Sequence, residues 1–153
     1  MEDYLKIVLS GYYGMSNYGD DLFSIVSYAA AKHFWKKDID VKIASPRVEE
    51  FFGQYSVPNF FSEIYASHGT FGGFARVFFQ AASFARVNKV VFAGGSLFTA
   101  GNFSTRDIAT YSFRRERNLW AIGISVGPFK SISDEKKIFK FLSKFEYIST
   151  RDK

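Results

Sequence analysis

An α/β domain, built on an open parallel sheet with helices on both faces, is what this 153-residue sequence predicts. Three observations carry the prediction. Five apolar runs of strand length (YLKIVLS, IDVKIA, KVVFA, LWAIGI and EYIS) alternate with segments whose apolar residues recur at helical spacing. Most of these runs are continuous rather than alternating, as in strands covered on both sides. Strands separated by helical crossovers pair in parallel, which gives a Rossmann-like layering. A chain of this length buries roughly two thirds of its unfolded surface, so one core is expected over residues 1–153.

Taken in order, Tyr4 to Ser10 reads as a buried first strand. The glycine-rich stretch GYYGMSNYGDD, Gly11 to Asp21, comes next. Leu22, Ile25, Val26, Ala29 and His33 then recur at helical spacing, predicting a helix of about four turns that turns these residues inward, His33 being a packed side chain. Ile39 to Ala44 alternates as a second strand. Pro46 ends it, because proline has no N–H for a ladder and biases its predecessor towards extended geometry. Arg47 to Gly73, with Gly53, Pro58, Asn59, Gly69, Gly72 and Gly73, reads as a long surface excursion with room for a short helix, and it holds His68. Phe74, Val77, Phe78, Ala81 and Ala85 predict a second amphipathic helix packed through those side chains.

Lys89 to Ala93 is a third strand, leaving through Gly94, Gly95 and Ser96. Thr105 to Arg117 predicts a charged helix whose Arg114, Arg115 and Arg117 suit the negative end of the helix dipole. Leu119 to Ile124 is a fourth strand, leaving through SVGP. Ser131 or Ser133 caps a last helix with Asp134 and Glu135 in its first turn and one stripe of Ile138, Phe141, Leu142 and Phe145. Glu146 to Ser149 is the fifth strand.

Right-handed crossovers gather the loops after successive strands on one edge of such a sheet, and ligands bind at that edge. GYYGMSNYGDD, AGGS, ISVGP and the terminal Ser149-Thr-Arg-Asp152 are therefore expected to converge. Gly14, Ser16, Asn17, Tyr18 and Gly19 from the first loop, Gly94, Gly95 and Ser96 from the second, Ser125 from the third and Arg151 from the fourth form the expected binding surface. Asp20 and Asp21 are the candidate catalytic carboxylates.

Composition narrows the chemistry. Cysteine is absent and only two histidines occur, which removes disulfides and thiolate metal sites and leaves little for a zinc site or a histidine triad, so no metal is expected. No run approaches the roughly 20 apolar residues of a membrane span, and a soluble domain is expected. A net charge of +5 and a pI near 9.4 invite an anionic partner. The basic residues are dispersed without an aromatic-basic recognition motif, which argues against nucleic acid. Aromatic content is 20%, with 19 Phe, many at helical spacing, where core packing is the expected use.

Known nucleotide motifs fail. G-x-x-G-x-x-x-x-G is not the dinucleotide fingerprint, and the second strand ends in Ser45-Pro-Arg47 rather than a ribose-binding acid. No glycine precedes Lys-Ser or Lys-Thr. Gly123-Ile-Ser-Val-Gly127 matches the hydrolase elbow, yet Pro128 follows it and both histidines lie upstream, the wrong order for that triad. The first loop keeps a meaning of its own. Helix N-terminal amides attract an anion or a hydroxyl, and glycine lets a ligand approach, but two carboxylates at the same end disfavour a bare phosphate. A polyhydroxyl ligand such as a sugar fits better, with Asn17 or one of the acids capping the helix and a carboxylate free to take a hydroxyl proton.

Together, GYYGMSNYGDD, VVFAGGSLF, AIGISVGPF and YISTRD, in this order, resemble the polysaccharide pyruvyl transferase family. Ala93, where the family often has glycine, and the distance of Asp107 from the glycine run are departures from its pattern. The resemblance implies two Rossmann-like halves related to the GT-B glycosyltransferases and about twice this length, this chain corresponding to the N-terminal, acceptor-side half and inactive alone. It further implies transfer of pyruvate from phosphoenolpyruvate to two hydroxyls of a sugar as a ketal, without a cofactor. Asn17, Gly19, Asp20 and Asp21 would shape the acceptor side, Gly94, Gly95 and Ser96 the cleft floor, and Arg151 would approach the donor anion. The expected partners are phosphoenolpyruvate, a saccharide acceptor that is lipid-linked in several such enzymes, and the C-terminal domain. The expected location is cytoplasmic, with peripheral contact to the inner face of the membrane suggested by the basic balance. A nucleotide-sugar glycosyltransferase half and a non-catalytic glycan- or anion-binding domain are the alternatives.

Overall fold

A computed structural model describes residues 5–35, 39–48, 53–99 and 118–151. Its sheet has five strands: β1 (Leu5–Ser10), β2 (Ile39–Ile43), β3 (Lys89–Ala93), β4 (Asn118–Ile124) and β5 (Tyr147–Thr150). All four pairings are parallel and the order is β2-β1-β3-β4-β5. The predicted open parallel sheet with a Rossmann-like layering is what forms. The helices among the described residues are α1 (Tyr18–Trp35), a short α2 (Ser62–Ala66) preceded by a single 3₁₀ turn, α3 (Thr70–Phe84) and α4 (Ile132–Leu142). The charged helix expected over residues 105–117 lies outside the described residues.

Two buried layers sandwich the sheet. On one face α3 and α4 bring Ala81, Phe84, Ile138, Phe141 and Leu142 onto Val8, Val90, Phe92, Leu119 and Ala121. Phe92 sits at the centre of that layer, with the Phe84, Phe98 and Phe141 rings edge-on around it, the arrangement the aromatic quadrupole favours. On the other face α1 lays Tyr28, Ala31 and Trp35 against Ile7, Leu9, Val41, Val91 and Ala93.

The faces of the two long helices differ from the sequence expectation. α1 buries Asp21, Ser24 and Ala31, while Leu22, Val26, Ala29 and His33 are exposed, the His33 ring meeting that of Phe34 edge-on. Two stripes at helical spacing lie side by side on this helix. The one at 21, 24, 28, 31 and 35 turns inward because its polar members find internal partners: Asp21 accepts from Gly14 N and Ser24 donates to the Asp21 carbonyl. Tyr28 and Trp35 supply the apolar area. α3 starts at Thr70, a turn earlier than Phe74. It packs through Ala81 and Phe84 with Val77 half-buried, leaving Phe74 and Phe78 outside.

Within the excursion after β2, the short helix for which the sequence leaves room forms as α2. Tyr65 of α2 is buried and donates to the Ala44 carbonyl at 2.9 Å, and Val57 is buried as well, so the segment folds back over the end of β2. The Arg76 guanidinium donates to the Tyr65 and Ser67 carbonyls, tying α2 to α3. Ser131, rather than Ser133, caps α4, its Oγ accepting from Asp134 N at 3.1 Å.

Candidate functional site

In this strand order the chain leaves β1 in one direction and β3 in the other, so the carboxyl ends of β1 and β3 flank the crevice where open α/β sheets bind ligands. The first glycine loop and Gly94-Gly95-Ser96 border it. Two contacts anchor the loop. Tyr13 folds back across Gly11 into the core and donates its hydroxyl to the Ala93 carbonyl at 2.5 Å; a Cβ at Gly11 would lie 2.3 Å from that ring, so only glycine fits. Gly14, at φ 70°, donates its N–H to Asp21 Oδ1 at 2.7 Å and rests on Ser45 and Pro46 beyond β2. The loop is held at one end by β3 and at the other by its own helix.

The adjacent acids point to different places. Asp21 is 6% exposed beneath the loop, and burial pushes its carboxyl above the ordinary value of 3.8, the Gly14 N–H pulling the other way. Asp20 is half-buried at the crevice. Its Oδ2 accepts from Asn17 Nδ2 at 2.7 Å, and its Oδ1 faces Gly95 so closely that a Cβ there would lie 3.1 Å away. The Asn17 carbonyl accepts the Asp21 N–H at 2.9 Å, closing the first helical turn. Ser16, at φ 58°, holds the left-handed conformation without being glycine, and backbone of that kind clusters where ligands are clamped. Ser16, Asn17, Tyr18 and Gly19 all lie exposed at the mouth.

Across the crevice, Gly94 and Gly95 both have positive φ, and the loop is stitched to its neighbours: Ser125 N donates to the Gly95 carbonyl at 3.1 Å, and Gly94 N to that of Ile122 at 3.0 Å. Arg151 N donates to Ile124 O, so the exits of β3, β4 and β5 form one bonded edge, with the exposed Arg151 side chain at its far end. Ser96 is exposed and Ser125 half-buried along it. The Phe23 ring of α1 lies on the glycine floor: a Cβ at Gly94 would come within 2.4 Å of it, and one at Gly123 would lie 3.6 Å from its tip.

The four strand exits thus share one edge, as topology predicts, with Asp20, Asn17 and the Gly94-Gly95 floor nearest one another and Arg151 two strands further along. Tyr13 and Phe23 are the residues that sequence reasoning passed over. A bulky tyrosine between two glycines is a local signal for a side chain that folds back over them. Phe23 has none, since both its glycine partners lie in distant segments. Among the described residues no group of three His, Cys, Asp or Glu side chains could hold a metal ion, and no helix is long and apolar enough to cross a membrane.

Sheet order, glycine floor and a carboxylate at the switch point define an α/β protein of the kind that binds ligands in a crevice across the carboxyl ends of its strands. The family model described as Polysaccharide pyruvyl transferase matches residues 17–153, and the chain belongs to that family. The match starts at Asn17, so the Tyr13 anchor precedes it while Asp20, Phe23 and the glycine floor fall within it. No curated protein and no solved structure matches the chain.

Proposed function

We propose that this chain is the acceptor-side, N-terminal half of an enzyme that transfers pyruvate from phosphoenolpyruvate to a saccharide as a ketal, working together with a second α/β domain in a GT-B-like arrangement. The observation that carries the reading is Asp20, a carboxylate set against the Gly95 backbone at the switch-point crevice and oriented by Asn17, in a chain of this family.

In this reading one sugar hydroxyl adds to C2 of the enol while a proton is delivered to its methylene carbon, which becomes the methyl group. The C–O bond to phosphate then breaks, a second hydroxyl of the same sugar closes the ketal, and inorganic phosphate leaves. Each hydroxyl gives up a proton as it attacks. Asp20 is the group placed to accept one, and Asn17 holds its second oxygen so that Oδ1 stays in the crevice. Gly95 lets the sugar approach the backbone while Gly94 seats the Phe23 ring, the Ser96 and Ser125 hydroxyls offer hydrogen bonds, and Arg151 meets the anionic donor. Asp21 acts from below by fixing the loop through Gly14.

Phosphate release from phosphoenolpyruvate, measured with the full-length protein over a panel of glycans, tests this. Glycan-dependent release is expected. Turnover of a nucleotide sugar with no phosphate released from phosphoenolpyruvate would replace it with a glycosyltransferase, and glycan binding without turnover of either donor would replace it with a binding domain.

A further inference from the structure

We propose that the outer surface of α3 and α4 is the face by which this protein rests on an anionic lipid bilayer. The inference is independent of the reaction assigned above. It starts from a helix with aromatic rings on its outer side: α3 packs inward through Ala81 and Phe84, with Gln80 and Ser83 buried beside them, and turns Phe71, Phe74 and Phe78 outward at 77%, 80% and 66% exposure, with Ala75 and Ala82 between them on the same side. Phe60, 78% exposed, joins this row through a chain of ring contacts from Phe60 to Phe61, Phe61 to Phe79 and Phe79 to Phe78. The single charged residue of α3, Arg76, is turned to the Tyr65 and Ser67 carbonyls. A soluble helix face of this length ordinarily carries charge, and protruding phenylalanines on neighbouring turns cost solubility unless something covers them.

Charge identifies the cover. No Asp or Glu occurs from Ile64 to Arg106, a stretch that spans all of α3. α4, which packs on the same face of the sheet through the same buried layer, turns Lys136, Lys137 and Lys140 to solvent, with Lys130 exposed just before it. Its acids, Asp134 and Glu135, are half-buried in the first turn, with Asp134 engaged at the Ser131 cap. One face of the sheet therefore carries exposed aromatic rings on α3 and exposed ammonium groups on α4. Rings that enter the boundary between headgroups and acyl chains while lysines meet lipid phosphates are the chemistry of an interfacial surface. A second copy docked here would bring two sets of α4 lysines towards one boundary, where like charges repel. In parallel α/β units the helices run against the strands, so Phe71 and Phe74, near the start of α3, lie at the crevice edge of the sheet and would hold that edge at the lipid surface.

The test is sedimentation of the full-length protein with vesicles of phosphatidylcholine alone and of equal parts phosphatidylcholine and phosphatidylglycerol. Binding to the anionic vesicles at low salt is expected, weakened about tenfold or more by the combined Phe71→Ser, Phe74→Ser and Phe78→Ser changes. Lys136→Gln, Lys137→Gln and Lys140→Gln should together weaken it as added salt does, without affecting the slight binding to neutral vesicles. These side chains are exposed, so unchanged circular dichroism will verify that the variants fold. Failure of the unaltered protein to bind anionic vesicles overturns the proposal, and so does binding that is indifferent to the phenylalanine changes. A concentration-dependent dimer that those changes convert to monomer would also overturn it, assigning the face to a second copy.

Discussion

The Gly14 N–H points into the fold and is met there by Asp21 Oδ1 at 2.7 Å, so that the first carboxylate buried in α1 serves the backbone of the loop before it. This one bond sets the rotation of the helix. With Asp21 inside, Asp20 falls at the crevice and Leu22 falls outside, which explains why a helix with a good apolar stripe exposes it.

Replacing Asp21 therefore acts first on stability. Burial raises its folded-state pKa above 3.8, so its protonated form is the one the fold favours, and its contribution falls as pH rises from below 3.8 through the raised value. Asp21→Asn, which is neutral throughout, should gain on the unaltered protein from acid to neutral pH when urea midpoints are compared. Asp21→Ala, leaving the part-buried Gly14 N–H without its carboxylate, should cost about 1–3 kcal/mol in acid and less as pH rises through the raised value. A difference between the asparagine variant and the parent that does not change with pH would show that the carboxyl is not titrating in the interior.

The Phe23 ring and Gly94 make a second coupled pair. At φ 74°, with the ring where its Cβ would be, Gly94 tolerates no side chain on either account. Gly94→Ala should destabilise by at least about 2 kcal/mol, combining backbone strain with overpacking. Phe23→Ala removes the second cause and leaves the first, so the double variant should be more stable than the sum of the single changes predicts, by about 1 kcal/mol or more. Strict additivity in denaturant unfolding would mean that the ring moves aside freely.

All five strands stand within a residue or two of where continuous apolar runs place them, and their exits share an edge because crossover handedness leaves them no choice. What was not legible depends on contacts between segments far apart in the chain. Nothing local distinguishes the stripe at Leu22 and Val26 from the one at Ser24 and Tyr28; the Gly14 bond decides. Phe74 and Phe78 have core-like spacing, and only the packed helix reveals that Ala81 and Phe84 take the inner face. Asp20 and Asp21 are indistinguishable by type, and a rotation of about 100° between consecutive helix residues sends one to the crevice and the other beneath it.

At the opposite edge of the sheet, Lys89 is nearly buried, its Nζ 3.5 Å from the centre of the Trp120 ring and 3.8 Å from Glu146 Oε2, which also accepts from Trp120 Nε1 at 2.7 Å. Burial lowers the lysine pKa below 10.5, opposed by Glu146, so stability should rise as pH climbs from that lowered value to 10.5. Glu146→Gln lowers it further. Because Glu146 is half-exposed, the loss at neutral pH should be only about 1 kcal/mol, and the deficit should shrink as pH approaches 10.5 and Lys89 becomes neutral in both proteins. Denaturant midpoints at neutral and alkaline pH measure it, and a deficit constant across that range would exclude the ion pair as its source.

Asp20 is where the proposed chemistry is most exposed to refutation. Its Oδ1 lies against Gly95 and its Oδ2 is held by Asn17, so Asp20→Asn keeps the shape and removes the base. Glycan-dependent phosphate release by the full-length protein should fall by about 10²–10⁴-fold, the range for losing a positioned general base, with urea midpoints changed by no more than about 0.5 kcal/mol. Asn17→Ala removes one hydrogen bond from the carboxylate and keeps the carboxylate itself, and should lower kcat by a smaller factor while leaving KM for phosphoenolpyruvate near its original value, because Asn17 lies at the β1 exit and Arg151 at that of β5. Equal activity of Asp20→Asn and the parent would move the proton-accepting role out of this crevice and onto the second domain.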